Sequence, residues 1–130
     1  MGFSIFRTAM TALICIFLLM LFLLPPQYIS RFSEEAESLL SAAISHLERG
    51  DEAQSLRCCE ALAALVSDSM PALERFLNHS DVDSLGAVAD AAMLAMRIGD
   101  TGTAAQALTE ARSILSRLRE IELFSWNNLL

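Results

Sequence analysis

An uncharged apolar run from Thr8 to Leu24 constrains this chain more than any other feature. As a helix, its roughly 17 residues would cover about 26 Å and nearly span the hydrocarbon layer of a bilayer. Leu, Ile and Phe dominate the run, and each favours insertion into lipid. We therefore predict a membrane anchor in residues 1–30, with a transmembrane helix over about 8–26 and the lipid bilayer as its partner.

The flanks of the apolar run predict its ends and its orientation. Pro25 and Pro26 are expected to end or kink the membrane helix at the interface, where Tyr28 suits the headgroup layer. Arg7 precedes the run, whereas the positive charge of Arg31, which follows it, is offset by nearby glutamates. We predict a single-pass signal-anchor protein in the cell membrane, with its N-terminus cytoplasmic and its C-terminal domain extracytoplasmic.

The rival interpretation of the same run is a cleaved signal peptide that releases a secreted helical protein. The run is longer than the apolar region of most signal peptides, and the residues after it lack a small-x-small cleavage pattern. These two observations favour anchoring.

The charge of the remaining chain excludes some partners. Eight of the nine arginines and all sixteen acidic residues follow residue 30, so that part carries a formal charge of about −8. Nucleic acid and anionic lipid surfaces both require clustered cations. We therefore predict no nucleic-acid partner for the domain in residues 31–130.

Helical periodicity runs through this domain, with no sustained strand alternation. Gly50–Asp51 and Gly99–Asp100 each combine a glycine that can end one helix with an aspartate that can cap the next. The predicted fold class is all-α: an N-terminal transmembrane helix followed by a four- to five-helix antiparallel bundle of two helical hairpins. Apolar residues at helical spacing form the predicted core. They are Leu39, Leu40, Ala43, Ile44, Leu47, Leu56, Cys59, Leu62, Ala63, Leu65, Val66, Leu85, Val88, Ala89, Ala92, Met93, Met96, Ala104, Ala107, Leu108, Ala111, Leu115 and Leu118.

Several other polar residues predict helix boundaries. The second helix is expected to end near Ser67 and to be followed by a short separate helix. The predicted helix starts are Ser33, the Asp68–Pro71 segment, Ser80 or Asp81, and Asp100 or Thr103.

A metal site is one hypothesis for His79, Asp81 and Asp83, because imidazole and carboxylates are common ligands. The calcium-loop template fails, since it puts Leu85 and Ala92 where oxygen ligands are required. Capping and the helix dipole explain the same residues. We therefore predict no metal site and keep a metal-binding or sensory domain as an alternative.

Catalytic and cofactor motifs are not recognised in this sequence. Cys58 and Cys59 are neighbours on a helix, about 100° apart, which disfavours a disulfide between them. The serines lack a nucleophile-elbow context, and the glycines form no phosphate-binding loop. We predict no enzyme activity, no catalytic residues and no cofactor.

The C-terminal segment contains Phe124, Trp126, Leu129 and Leu130, an unusual density of apolar residues for a tail. One interpretation is that the segment docks on the bundle. The other is that Trp126 presents an anchor for a protein partner, because exposed aromatic residues are favoured at interfaces.

The second half of the domain carries a recognisable spacing of residues. These residues are Phe76, His79, Asp83, Gly99, Asp100, Glu110, Leu115, Glu122, Ser125 and Asn128. The chain thereby resembles an uncharacterised domain-of-unknown-function family of small membrane-anchored helical proteins from spore-forming Gram-positive bacteria. It departs from that family in using Arg where such proteins usually carry Lys. The resemblance implies the same architecture, no assigned activity, and a hydrogen-bonded cluster of His79, Asp83, Glu122 and Asn128.

These observations together predict a membrane-anchored, noncatalytic helical interaction or scaffold protein. The possible structural or interaction residues are His79, Asp83, Glu122, Trp126 and Asn128. The protein partner is not identified by the sequence.

Overall fold

Four α-helices joined by short turns make up the chain. The computed structural model describes the backbone of residues 2–129 and the side chains of residues 2–21 and 28–120. Over residues 2–129 the backbone contains no strand. The helices are α1 Gly2–Glu48, α2 Glu52–Phe76, α3 His79–Arg97 and α4 Thr101–Leu129.

The helices form an up-down-up-down bundle in which each contacts two neighbours. The pairs in contact are α1–α2, α2–α3, α3–α4 and α1–α4. The turns at Gly50 and Gly99 share one end of the bundle, which we call the far end. The α2–α3 turn lies at the other, the anchor end, where α1 enters. The predicted fold class is confirmed, with four helices in the bundle.

The first helix is longer than predicted, because α1 continues without a break from Gly2 to Glu48. Pro25 and Pro26 lie within it, so the alternative that they end the helix is wrong, and the alternative that they kink it stays a prediction. Proline has a helical φ, and it weakens a helix locally without requiring it to stop.

The predicted helix start at Ser33 is also wrong, since Ser33 lies inside α1 and is only 2% exposed. Its Oγ has no hydrogen-bond partner among the described residues. A capping serine accepts a bond from a free backbone N–H at a helix start. In a continuous helix, the preceding turn already binds those N–H groups.

The predicted break near Ser67 does not occur, because α2 runs on to Phe76 with Pro71 inside it. Leu73 is fully buried, and Ser69 is 5% exposed. Burying a leucine contributes about 1.5–3 kcal/mol, which offsets much of the roughly 3 kcal/mol that an internal proline costs. The helix ends where the Leu77 N–H donates to the Leu73 carbonyl at 2.8 Å. The short fifth helix is therefore the end of α2.

The Gly–Asp turns adopt the predicted geometry. Gly50 has φ +79° and Gly99 has φ +77°, the left-handed conformation that favours glycine. Asp51 Oδ1 accepts the Gln54 N–H at 3.2 Å and thereby caps α2. Both predicted helix ends are confirmed.

At the start of α4, the Asp100 alternative is confirmed and the Thr103 alternative is wrong. Thr103 is a donor to Asp100: its N–H lies 3.2 Å from Asp100 Oδ1 and its hydroxyl 2.6 Å from Asp100 Oδ2. The cap of α3 is Asn78, whose Oδ1 accepts the Ser80 N–H at 3.0 Å, and not Ser80 or Asp81. By residue type, Asn78 is as well suited to cap a helix as Ser80 or Asp81. Because α2 ends at Phe76, Asn78 is the residue that takes the capping position.

Short side chains build much of the core. Nine of the 23 buried hydrophobic side chains among the described residues are alanines, which allows the helices to approach closely. Ser55 adds a polar contact between helices, because its buried hydroxyl donates to the Ala43 carbonyl of α1 at 2.9 Å. Among the described side chains, Ile29 and Phe32 are the first buried ones along α1. Most predicted core residues are buried, as expected, whereas seven are half-buried against the core: Leu39, Ile44, Leu47, Leu56, Leu65, Val88 and Met93.

Candidate functional site

The N-terminal part of α1 is an apolar helix with no covering from the rest of the chain. Residues Gly2–Leu21 are long and apolar enough to cross a membrane, and none of them is buried. Leu13 is 70% exposed, and Phe17 is 61% exposed. The hydroxyls of Thr8 and Thr11 each donate to a backbone carbonyl four residues earlier at 2.8 Å. This segment has the properties of a membrane anchor or of a signal sequence.

A second uncovered apolar surface lies on the outer face of α3. Its residues Ala87, Ala91, Leu94 and Ile98 are exposed, and we call them the α3 stripe. Leu94 is 55% exposed, and Ile98 is 79% exposed. They follow one another at steps of four, three and four residues, the spacing of apolar positions at a seam between two helices. The stripe is separate from the buried face of α3.

Charged residues border the α3 stripe on one side. Asp83, Asp90 and Arg97 follow at intervals of seven residues, and all three are exposed. The Arg97 Nε lies 3.5 Å from Glu60 Oε1 of α2. Because Arg97 is engaged within the bundle, the two aspartates dominate this border.

His79 lies at the start of α3, and its side chain is 72% exposed. Its Nδ1 is 3.9 Å from Glu74 Oε2 of α2, a neighbour that sequence reasoning did not identify. Asp81 is half-buried, and Asp83 is exposed. Among the described residues, no three His, Cys, Asp or Glu side chains group closely enough to hold a metal ion. The structure therefore brings no support to the metal-binding alternative.

The C-terminal residues singled out in the sequence belong to the last turns of α4. These are Glu122, Trp126 and Asn128, whose side chains lie outside the described set. The proposed cluster with His79 and Asp83, and the docking of the tail, both stay predictions.

The three thiols are free and occupy different environments. Cys15 is exposed on the apolar segment, Cys58 is half-buried and Cys59 is buried. Burial is the main reason that the pKa of Cys59 is raised to about 11, and the neighbouring Cys58 raises it further. A thiol with this pKa stays protonated near neutral pH, so Cys59 is unsuited to act as a nucleophile.

A groove at the far end lies between α1 and α4. It has a volume of about 400 Å³ and is lined partly by Ile44, Leu47 and Ala105. Glu48 and Glu52 supply its acidic groups. Neither the shape nor the lining resembles a site for nucleophilic or acid–base chemistry, which needs paired groups in a water-excluding pocket.

Comparisons with models of protein families, with characterised proteins and with solved structures give no match to this chain. The family resemblance seen in the sequence therefore stays a prediction.

Sequence reasoning missed the α3 stripe, although a signal for it was present. The predicted core face of α3 used Leu85, Ala89 and Ala92, which left Leu94 and Ile98 without a place in the core. Two large apolar residues outside the core face of an amphipathic helix are the pattern that would have found it.

Proposed function

We propose that this protein is a membrane-anchored, noncatalytic interaction module. The observation that carries the proposal is the uncovered apolar segment Gly2–Leu21, which runs as one helix into a bundle with its own core. Twenty helical residues cover about 30 Å, the thickness of the hydrocarbon layer. The bundle is held on the extracytoplasmic side in this proposal.

Continuity of α1 limits which partners the bundle reaches. Ile29 already belongs to the core, so no flexible linker separates the bundle from the apolar segment. The bundle helix α2, which packs along α1, has 25 residues and is about 38 Å long. A partner therefore meets this bundle within a layer of that depth above the membrane.

The partner that we propose is a helix of another protein held in the same membrane, with an apolar face directed at the α3 stripe. The stripe has the spacing of a helix–helix seam, and its exposed leucine and isoleucine supply the contact area. Asp83 and Asp90 on its border favour a partner with basic flanks. The acidic domain, at about −8, is unsuited to nucleic acid.

Membrane anchoring is tested first on the native protein. We expect the full-length chain to stay with the membrane pellet after a carbonate wash, with an intact mass that includes the apolar segment. A soluble chain that has lost this segment would refute anchoring and would support secretion after signal cleavage. A reporter fused behind Leu130 should be extracytoplasmic.

Partner binding is tested by cross-linking in native membranes. With Leu94 replaced by p-benzoylphenylalanine, we expect a discrete adduct that disappears when Ile98→Glu is added. The matched control carries the same photoreactive residue at Ser38, which is exposed on α1, the helix diagonal to α3. Equal adducts from both positions, or an adduct insensitive to Ile98→Glu, would contradict a role for the α3 stripe.

A further inference from the structure

The anchor end of the bundle carries aromatic residues that the core does not use. Phe76, the last residue of α2, is 50% exposed, and Tyr28 of α1 is 41% exposed. Asn78 and His79 in the adjoining turn are exposed and polar. Aromatic rings beside polar groups are the combination enriched in the headgroup layer of membranes.

The register between α1 and α2 places Phe76 beside the end of the apolar segment. Ser55 of α2 donates to the Ala43 carbonyl of α1, which fixes these two residues at one level. Phe76 lies about 21 residues, or about 31 Å, further along α2. The same distance back along the antiparallel α1 reaches about position 22, close to Leu24, where the apolar run of the sequence ends.

An independent contact gives the register between α1 and α4. This register places the end of α4 at the same level of α1 as Phe76. Arg112 of α4 lies 3.7 Å from Glu37 and 3.3 Å from Ser41 of α1, measured from its Nε and its Nη2. The end of α4 at Leu129 is about 17 residues, or about 26 Å, further on. That distance back along α1 reaches positions 20 to 24.

We propose that the anchor end of the bundle is seated in the headgroup layer of the bilayer, with Phe76 as a contact residue and the end of the α4 backbone at the same level. This inference rests on the proposed membrane anchoring. The predicted hydrocarbon-spanning run ends at Leu24, so the α2–α3 turn lies at the border of the hydrocarbon. Exposed Asn78 and His79 restrict the turn to the hydrated side of that border. Seating fixes the bundle upright and holds the α3 stripe at a constant height.

The single tryptophan of the chain makes this inference testable. Trp126 lies within the last turns of α4 and reports on them in the wild-type protein. A Trp126→Phe background with Phe76→Trp reports on the α2–α3 turn. The matched control is the same background with Ile98→Trp, because Ile98 is 79% exposed at the far end.

The full-length variants are reconstituted into phosphatidylcholine vesicles, floated, and measured with lipids brominated near the carbonyl end of the acyl chains. We expect strong quenching and blue-shifted emission for Trp126 and for the Phe76→Trp variant. The Ile98→Trp control should keep water-like, unquenched emission. Matching thermal unfolding of the three proteins would verify that all have the same fold.

Anchoring and seating fail in different ways. If the chain floats with the vesicles but either reporter behaves like the Ile98→Trp control, the seating is refuted and anchoring stands. Phe76 would then be available to a protein partner. If the chain does not float, both proposals are refuted.

Discussion

Two buried serines, Ser33 and Ser55, are expected to affect stability in opposite directions when each is replaced with alanine. The Ser55 hydroxyl donates to the Ala43 carbonyl at 2.9 Å, whereas the Ser33 Oγ has no partner among the described atoms. Their exposed fractions are 0% and 2%, respectively. Replacing each with alanine therefore removes the same group from two equally buried helical sites that differ in hydrogen bonding.

The expected difference in stability between the two alanine variants follows from this difference in hydrogen bonding. Both substitutions gain the higher helix propensity of alanine, about 0.5 kcal/mol, so this contribution cancels in the comparison. Ser55→Ala loses a hydrogen bond that contributes about 0.5–1.5 kcal/mol. Ser33→Ala removes a hydroxyl whose unpaired burial costs about 1–3 kcal/mol. We expect Ser33→Ala to be more stable than Ser55→Ala by at least about 1.5 kcal/mol, the sum of the two lower bounds.

Thermal unfolding of the full chain in detergent micelles, followed by circular dichroism, measures this difference. A shift of about 4–8 °C per kcal/mol for a domain of this size predicts melting temperatures that differ by roughly 10 °C. Ser38→Ala, at an exposed site on α1, controls for propensity. If Ser33→Ala were as destabilising as Ser55→Ala, the reasoning would be wrong and Ser33 would have a partner.

Three further predictions concern a cap, a thiol and a turn. Asn78→Ala should lower the free energy of unfolding in urea by about 1 kcal/mol, whereas Ser80→Ala should change it by less than about 0.5 kcal/mol. Equal effects would contradict the assignment of the cap. The pKa of Cys59 is 9.0 in the unfolded chain and about 11 in the fold, so its stabilising contribution is complete below pH 9 and is lost as the pH rises towards 11. Titrating stability over this range should therefore show a steeper alkaline decline for the wild type than for Cys59→Ala. Gly99→Ala should cost about 1–2 kcal/mol in a melting experiment because φ is +77°, while Gly102→Ala in the first turn of α4 should not destabilise.

Local signals in the sequence predicted most of the fold. The two Gly–Asp turns were placed correctly because a left-handed glycine and a capping aspartate act within four residues of each other. The core faces followed from helical periodicity for the same reason. The candidate site was less predictable, since the exposure of Leu94 and Ile98 depends on the positions of the neighbouring helices.

The helix boundaries show why the remainder could not be predicted. More than one helix boundary is compatible with the local preferences of Pro71, Ser33 and Asn78. The alternative boundaries differ in free energy by about 1–3 kcal/mol. Burial of Leu73 is of similar size and involves residues distant in the chain. Local pattern alone therefore gave the wrong boundary at these positions.

The sequence by itself determined that this chain contains one long apolar segment and an all-helical acidic domain, because hydropathy and periodicity are properties of consecutive residues. Only the tertiary structure decided that the apolar segment and the first helix of the bundle form one continuous α1, and that the α2–α3 turn lies level with the end of the apolar segment. Register between helices is set by contacts such as Ser55 with Ala43. Such contacts join residues on different helices, and no local pattern specifies them.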